Sequence, residues 1–204
     1  ALFKAADTAP LPVMSEYRLP LAQWSVKTNQ AYFKEGYKQN SAVFACLRAL
    51  ANGFAEAPVK CYQDETREKE LPTHPLQKLI KKPNELMGED EWWKFLITYA
   101  GTGGNGYGKI VLTNGGEPGE LWPYHDLVMW PVPAGRKWVD HYAYSVDGTP
   151  YNAERIETKE VLHIKWAIDP EAPWRGMSPL APVGREVDTD NELTRYLKVL
   201  LQND

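Results

Sequence analysis

Cysteine, histidine, net positive charge and long apolar runs are all scarce in this sequence, and each shortage excludes something. Two cysteines, Cys46 and Cys61, are too few for a disulfide framework, which leaves a reducing compartment as the default. No apolar run approaches the length needed to cross a bilayer, and the opening stretch "ALFKAADTAPLPVMSEYRLP" lacks a signal-peptide core. The sequence therefore reads as soluble and intracellular when made, with no membrane contact. Four histidines, at 74, 125, 141 and 163, lie far apart and none pairs with Cys, Asp or Glu at ligand spacing, so neither a metal nor another cofactor is expected. Lysine and arginine total 23 against 27 acids, a net charge of −4. The whole-molecule field does not favour nucleic acid, so any DNA contact should be weak and independent of sequence. Catalytic signatures are missing too. Ser178 lies in "RGMSPLAP", where Pro179 makes it a helix cap rather than a nucleophile on an elbow. Glu120, Asp126, Asp140 and Asp147 could in principle supply a carboxylate pair, but scattered acids in turns are usually solvated. No catalytic constellation survives.

What the chain does have is core material. Apolar residues make up 43% of 204, enough for a globular fold, and eight tryptophans with sixteen prolines suggest a β-containing fold with structured loops. Tryptophans 122, 130, 138, 166 and 174 could form a sugar-stacking platform, which would make the chain carbohydrate-binding or carbohydrate-active. They come from separate strands without polar co-ligands, which suits filling a core or anchoring a subunit interface better.

Residues 1–38 carry prolines at 10, 12 and 20 and no periodicity, and read as an extended arm. A helix then starts at Ser41 as N-cap, with Val43, Leu47, Leu50 and Phe54 as its apolar stripe and Cys46 on the stripe's edge. "VKCYQ" reads as a strand. "THPLQKLIKKPN" reads as a short helix capped by Thr73 and stopped at Pro83. In "GEDEWWKFLITYAG" apolar side chains sweep more than half the circumference, so this helix must be packed on more than one side. Strands follow at "YGKIVLT", "LWPYH", "LVMWPV", "HYAYSV" and "EVLHIKWA", and a long helix closes the chain. Helices flanking mostly antiparallel strands make the class α+β.

"GTGGNGYGK", residues 101–109, satisfies both G-x-G-x-x-G and G-x-x-x-x-G-K. Both motifs need a strand entering the loop and a helix leaving it, so that helix N–H groups meet the phosphate. Here a helix enters and a strand leaves, and Ile110 stands where a P-loop needs Ser or Thr. The glycines are expected to form a helix C-cap and turn over 101–108, with Lys109 already on a strand.

Six landmarks remain, in order over residues 41–204: "SAVFACLRALANGFAEAPVKCY", "HPLQKLIKKPN", "GNGYGKIVL", "GELWPYH", "EVLHIKW" and "RGMSPLAPVGREV". Together they resemble the portal (head-tail connector) proteins of tailed bacteriophages, of the siphovirus and prophage type. The resemblance implies a structural, non-enzymatic subunit of a dodecameric ring at one capsid vertex, through which DNA is packaged and ejected. It implies residence in the virion, with assembly in the host cytoplasm. The implied partners are further copies of itself, the major capsid protein, the terminase large subunit, head-completion or tail connector proteins, and double-stranded DNA bound non-specifically. Residues 39–204 would be the wing region leading toward the stem, with the rest of a portal absent from this chain. Tyr124 departs from the family, which usually has Leu there.

In the last helix Val183, Val187, Leu193, Leu197, Leu200 and Leu201 share a face, opposite Arg185, Asp188, Glu192 and Arg195. Asp190 and Thr194 fall within the apolar arc, one turn apart. A carboxylate there needs a partner or water. Local bending that lets Asp190 reach solvent is one account. The other is that the arc faces a neighbouring subunit, where Asp190 meets a donor and fixes registry.

Overall fold

The computed structural model describes residues 28–135 and 138–202. Of the arm expected over 1–38, residues 1–27 lie outside the described residues, and the remainder is not extended. A single turn, α1 (Asn29–Ala31), capped by Thr28, runs into a π-helix, Tyr32–Tyr37. Its aromatics explain the difference. Phe33 stacks on Tyr99 and His125, and Tyr37 on Phe44, so the segment is folded by contact rather than by its own periodicity.

Helix α2 (Ser41–Ala55) begins one residue earlier than read. Its N-cap is Asn40, whose Oδ1 accepts from Val43 N at 3.0 Å. The buried stripe is narrow, centred on Leu47 and Ala51, and Leu50 and Phe54 are half exposed. Cys46 is exposed, not on the core side, because one residue from Leu47 is about 100° of rotation. "VKCYQ" makes only an isolated bridge, Tyr62 to Glu70. Buried Gln77 takes over the pairing, accepting from Cys61 N at 2.8 Å and donating to Val59 O at 2.7 Å. Gln77 sits on α3 (Pro75–Lys81), capped by His74 rather than Thr73: His74 Nδ1 accepts from Leu76 N.

Helix α4 (Glu89–Gly103) is the core of the molecule, with three acids in its first turn complementing its dipole. It buries Trp92, Trp93, Leu96, Ile97 and Ala100 and packs against α2 and a three-stranded sheet, on more than one side as its composition required. That sheet has the order β2 (Pro118–His125), β1 (Asn105–Leu112), β6 (Val161–Lys165), all antiparallel. A second antiparallel sheet is β3 (Met129–Val132), β4 (His141–Tyr144), β5 (Glu154–Glu157), and β7 (Ala167–Ile168) pairs with β8 (Gly176–Met177). The charged "ERIE" of β5 escaped the sequence reading because only Ile156 is buried. The class is α+β.

Strand β1 lies between two cores. Gly106 and Gly108 face α4, and Tyr107, pointing the other way, packs with Met129, Tyr142 and Ile156 of the second sheet. A Cβ on Gly106 would lie 2.6 Å from Leu96 O, so the glycine lets the helix lie directly on the strand. The glycine stretch is thus not one turn. The helix runs through Gly103, Gly104 alone turns in the left-handed region (φ 93°), and the strand starts at Asn105. Lys109 is on β1 as expected. Gly104→Ala should cost about 2–4 kcal/mol, combining left-handed strain with overpacking, since its Cβ would meet Ser178 N at 2.5 Å and Gly176 O at 2.6 Å. Urea denaturation measures this, and a loss below about 1 kcal/mol would contradict the packing.

Helix α5 (Leu180–Gln202) is seated through buried Leu180 and Gly184. Ser178 caps it as read, its Oγ accepting from Leu180 N at 3.1 Å while donating to Thr102 O at 2.6 Å. From Glu192 to Gln202 every side chain is exposed. No described helix is long and apolar enough to cross a membrane.

Candidate functional site

The densest chemistry in the molecule is a buried polar junction at the end of β1. Asn105 is fully buried and makes four hydrogen bonds. Its Oδ1 accepts from His163 Nε2 at 2.9 Å and from Gly176 N, and its Nδ2 donates to Asp126 Oδ2 and Gly176 O, both at 3.0 Å. One amide therefore ties β1 to β6, to the turn after β2 and to β8. Asp126 Oδ2 also accepts from Asn29 Nδ2 at 3.0 Å, and Arg175 Nη2 lies 3.8 Å away. The bonds fix the imidazole tautomer: His163 carries its proton on Nε2, and Nδ1 accepts from the Tyr142 hydroxyl at 3.1 Å.

Burial dominates the electrostatics. It raises the Asp126 carboxyl to about 7, against the opposing pull of the Asn105 amide, Arg175 and Tyr107. It lowers His163 to about 3, helped by Lys165 and Arg175. Burial, then the Asp126 charge, pushes the Tyr107 phenol well up. Tyr107 and Asp126 are close enough to shift each other's titration, yet no regular hydrogen bond is completed, and Tyr107 Oη and Asp126 Oδ1 are both buried without one.

A histidine with a pKa of about 3 is far too weak a base to take a proton at neutral pH. The hydroxyl it meets is that of Tyr142, and Asn105 stands between it and Asp126. The cluster is built to join segments. Among the described residues no group of three or more His, Cys, Asp or Glu could hold a metal.

Its place beside a turn predicts a solvated Asp126, and here the structure differs: its side chain has 0% exposure. Asp140 and Asp147 are exposed, and Glu120 accepts from its neighbour Trp122 Nε1 at 2.7 Å, so the four acids form no pair. Asp190 and Thr194 are both exposed in this chain, and Asp190 Oδ2 accepts from Asn40 Nδ2 at 2.8 Å. Glu192 and Arg195, on the face opposite, pair with each other at 2.8 Å. Of the tryptophans, Trp92 and Trp93 stack edge to face in the core, 4.6 Å apart, while Trp138 is exposed with Lys165 Nζ over its ring.

The junction residues are the polar members of the sequence landmarks. Asn105 belongs to "GNGYG", His163 to "EVLHIKW" and Ser178 to "GMSPL". Asn84 of "KKPN" behaves alike: it is buried, donates to Leu121 O of β2 at 2.9 Å, and accepts from Leu86 N and Met87 N. Landmarks that are weak singly meet in space. Compared with known families, residues 41–204 match the family described as phage portal protein. The chain belongs to the phage portal protein family.

Chains in solved particle structures agree in fold. A chain in the neck of an empty GTA particle computed with C6 symmetry superposes with a TM-score of 0.77 at 27% identity, covering 89% of this chain and 48% of that one. Chains from the virion of the native gene transfer agent particle, and from its neck computed with C12 symmetry, share the fold at TM-score 0.73 and 24% identity, with 89% and 47% covered. An uncharacterized protein of Rickettsia bellii (strain RML369-C) is 26% identical over 177 residues, 83% of this chain and 43% of the relative. This portal-family chain thus spans just under half the length of these relatives.

Proposed function

We propose that this chain is part of a structural, non-enzymatic portal subunit that forms a dodecameric ring at the capsid vertex, through which DNA is packaged and ejected. Residues 39–204 correspond in this reading to the wing region approaching the stem, preceded by the segment 1–38. The observation that carries the reading is the 27%-identical chain in a particle neck of cyclic symmetry. A second feature supports it. Leu193, Leu197, Leu200 and Leu201 of α5 stand exposed on one side of a helix that makes no core there, an apolar face that a ring contact would cover. The capsid protein, the terminase, the head-completion or tail connector proteins and the DNA in the channel are partners on the same reading, with location in the virion after assembly in the host cytoplasm. Mass photometry or negative-stain imaging of the full-length gene product tests it: rings are expected, and a stable monomer at micromolar concentration would refute it.

Asp190 and Thr194 sit within that apolar face, and we place them at the contact between neighbouring copies. Asp190→Leu should change the stability of this chain by less than about 1 kcal/mol, because Asn40 Nδ2 keeps Asn191 Oδ1 as an acceptor at 3.2 Å. The same substitution in the full-length protein should reduce ring yield. Normal yield and stoichiometry would remove the registry role while leaving the ring reading intact.

A further inference from the structure

Three asparagines in this chain are followed by glycine: Asn52, Asn105 and Asn114. Such a pair is chemically fragile. The nitrogen of the following residue attacks the side-chain amide carbon, and glycine, lacking a Cβ, hinders that attack least. The reaction needs a nitrogen free of other bonds and a backbone free to bend toward the side chain. Asn52 and Gly53 lie inside α2, where the Gly53 N–H belongs to the helix ladder. Asn105 and Gly106 lie on the central strand, with Gly106 paired to His125 on one side and Ile164 on the other. Turning the buried Asn105 amide onto the Gly106 nitrogen would break its bonds to His163, Gly176 and Asp126 away from solvent. Asn114 and Gly115 differ. They stand at the tip of the β1–β2 hairpin and both are exposed. Gly116 N donates to Thr113 O at 2.8 Å and Thr113 N to Glu117 O at 2.7 Å, and Gly116 takes the left-handed φ of 81°. These bonds close the loop around Asn114 and Gly115, which themselves make no hydrogen bond to any described residue.

We propose that Asn114 is a site of spontaneous deamidation in the folded chain, and that folding shields Asn105 from the same reaction. Hydroxide or a general base of the solvent takes the Gly115 amide proton, and the nitrogen bonds to Asn114 Cγ. The Cγ–Nδ2 bond breaks as Nδ2 takes up a proton and leaves as ammonia. Water then opens the five-membered imide at either carbonyl, leaving aspartate or isoaspartate at position 114. No oxidant or reductant takes part. The hairpin tip gains a negative charge, and isoaspartate lengthens its main chain by one carbon. At Asn105 the same conversion would set a second carboxylate against Asp126 and remove the donor that Asp126 accepts from. A chain altered there while unfolded cannot rebuild the junction. The inference does not depend on the ring reading.

Peptide mapping by mass spectrometry tests it, on this chain held at mildly alkaline pH and on a parallel sample unfolded in urea. In the folded sample Asn114 should convert at least about tenfold faster than Asn52 or Asn105, because the shielded pairs react only through local opening. In urea that gap should close, since no pair is shielded there. Gly115→Ala should lose most of the conversion at 114, and the structure has room for it: a Cβ there meets nothing nearer than Thr113 Oγ1 at 3.8 Å. When the urea is removed, chains converted at 105 should be missing from the refolded fraction, while those converted at 114 should be recovered. Similar rates at the three sites in the folded sample overturn the proposal, as does an intact Asn114 there while all three convert in urea. Refolded chains that carry the change at 105 would overturn the role given to shielding.

Discussion

Asn105→Leu is expected to destabilise the chain by about 3–5 kcal/mol, the largest loss of any single substitution considered. Leucine has asparagine's branched shape and is no smaller, so the effect is not a cavity. It removes both acceptor bonds, leaving His163 Nε2–H and Gly176 N–H buried without partners, and both donor bonds, to Asp126 and Gly176 O. Each stranded buried group costs about 1–3 kcal/mol, because the folded state cannot return it to water. Lys94→Ala is a useful contrast. Its ion pair with Asp90, 2.7 Å long and exposed, should be worth less than about 0.5 kcal/mol. Guanidinium denaturation of the two variants measures the difference. Equal losses would mean that the junction does not carry the stability assigned to it.

The second large effect is hidden in the unmodified chain. Asp126 is raised from 3.8 to about 7, so the folded state binds a proton that the unfolded state releases between those values, and stability falls as pH rises through that window. His163 is lowered from 6.5 to about 3, so the folded state refuses a proton that the unfolded state takes up, and stability rises with pH over that window. Each slope is about 1.4 kcal/mol per pH unit, and from about pH 4 to 6.5 they oppose each other. The unmodified chain should therefore have a shallow profile there, tilted slightly upward by His125, which burial also lowers. Asp126→Asn leaves the histidines alone, and stability should climb by about 3 kcal/mol between pH 4 and 6.5. His163→Gln leaves Asp126 alone, and stability should fall by a similar amount. Denaturation midpoints across pH read the slopes directly. Parallel profiles for all three proteins would show that neither group is held as the structure has it.

Much of this fold was legible locally. The near-continuous apolar surface of "EWWKFLITYA" announced a helix packed on several sides, and α4 is that helix. The order helix–glycine–strand by itself rules against a phosphate loop, and Gly104 closes α4 in the left-handed region accordingly. Ser178 was legible as a cap from the proline beside it. What failed locally failed by small angles. Cys46 is one residue from buried Leu47, and the difference decides whether a thiol is in the core or in water.

The landmarks sufficed, as a pattern in order, to suggest the family, and periodicity sufficed for the class. Neither says which polar residues are buried. Asp126 looks like any acid beside a turn, and Asn105 like a residue favoured by tight turns. Their burial is decided by partners 21, 58, 71 and 97 residues away, which converge only when β1 is enclosed between α4 and the second sheet. Helix and strand propensities follow from each residue's own backbone and near neighbours, so a sequence carries them openly. Burying a carboxylate or an amide is tolerable only where distant segments supply every hydrogen bond, and that is settled by the assembled tertiary structure alone.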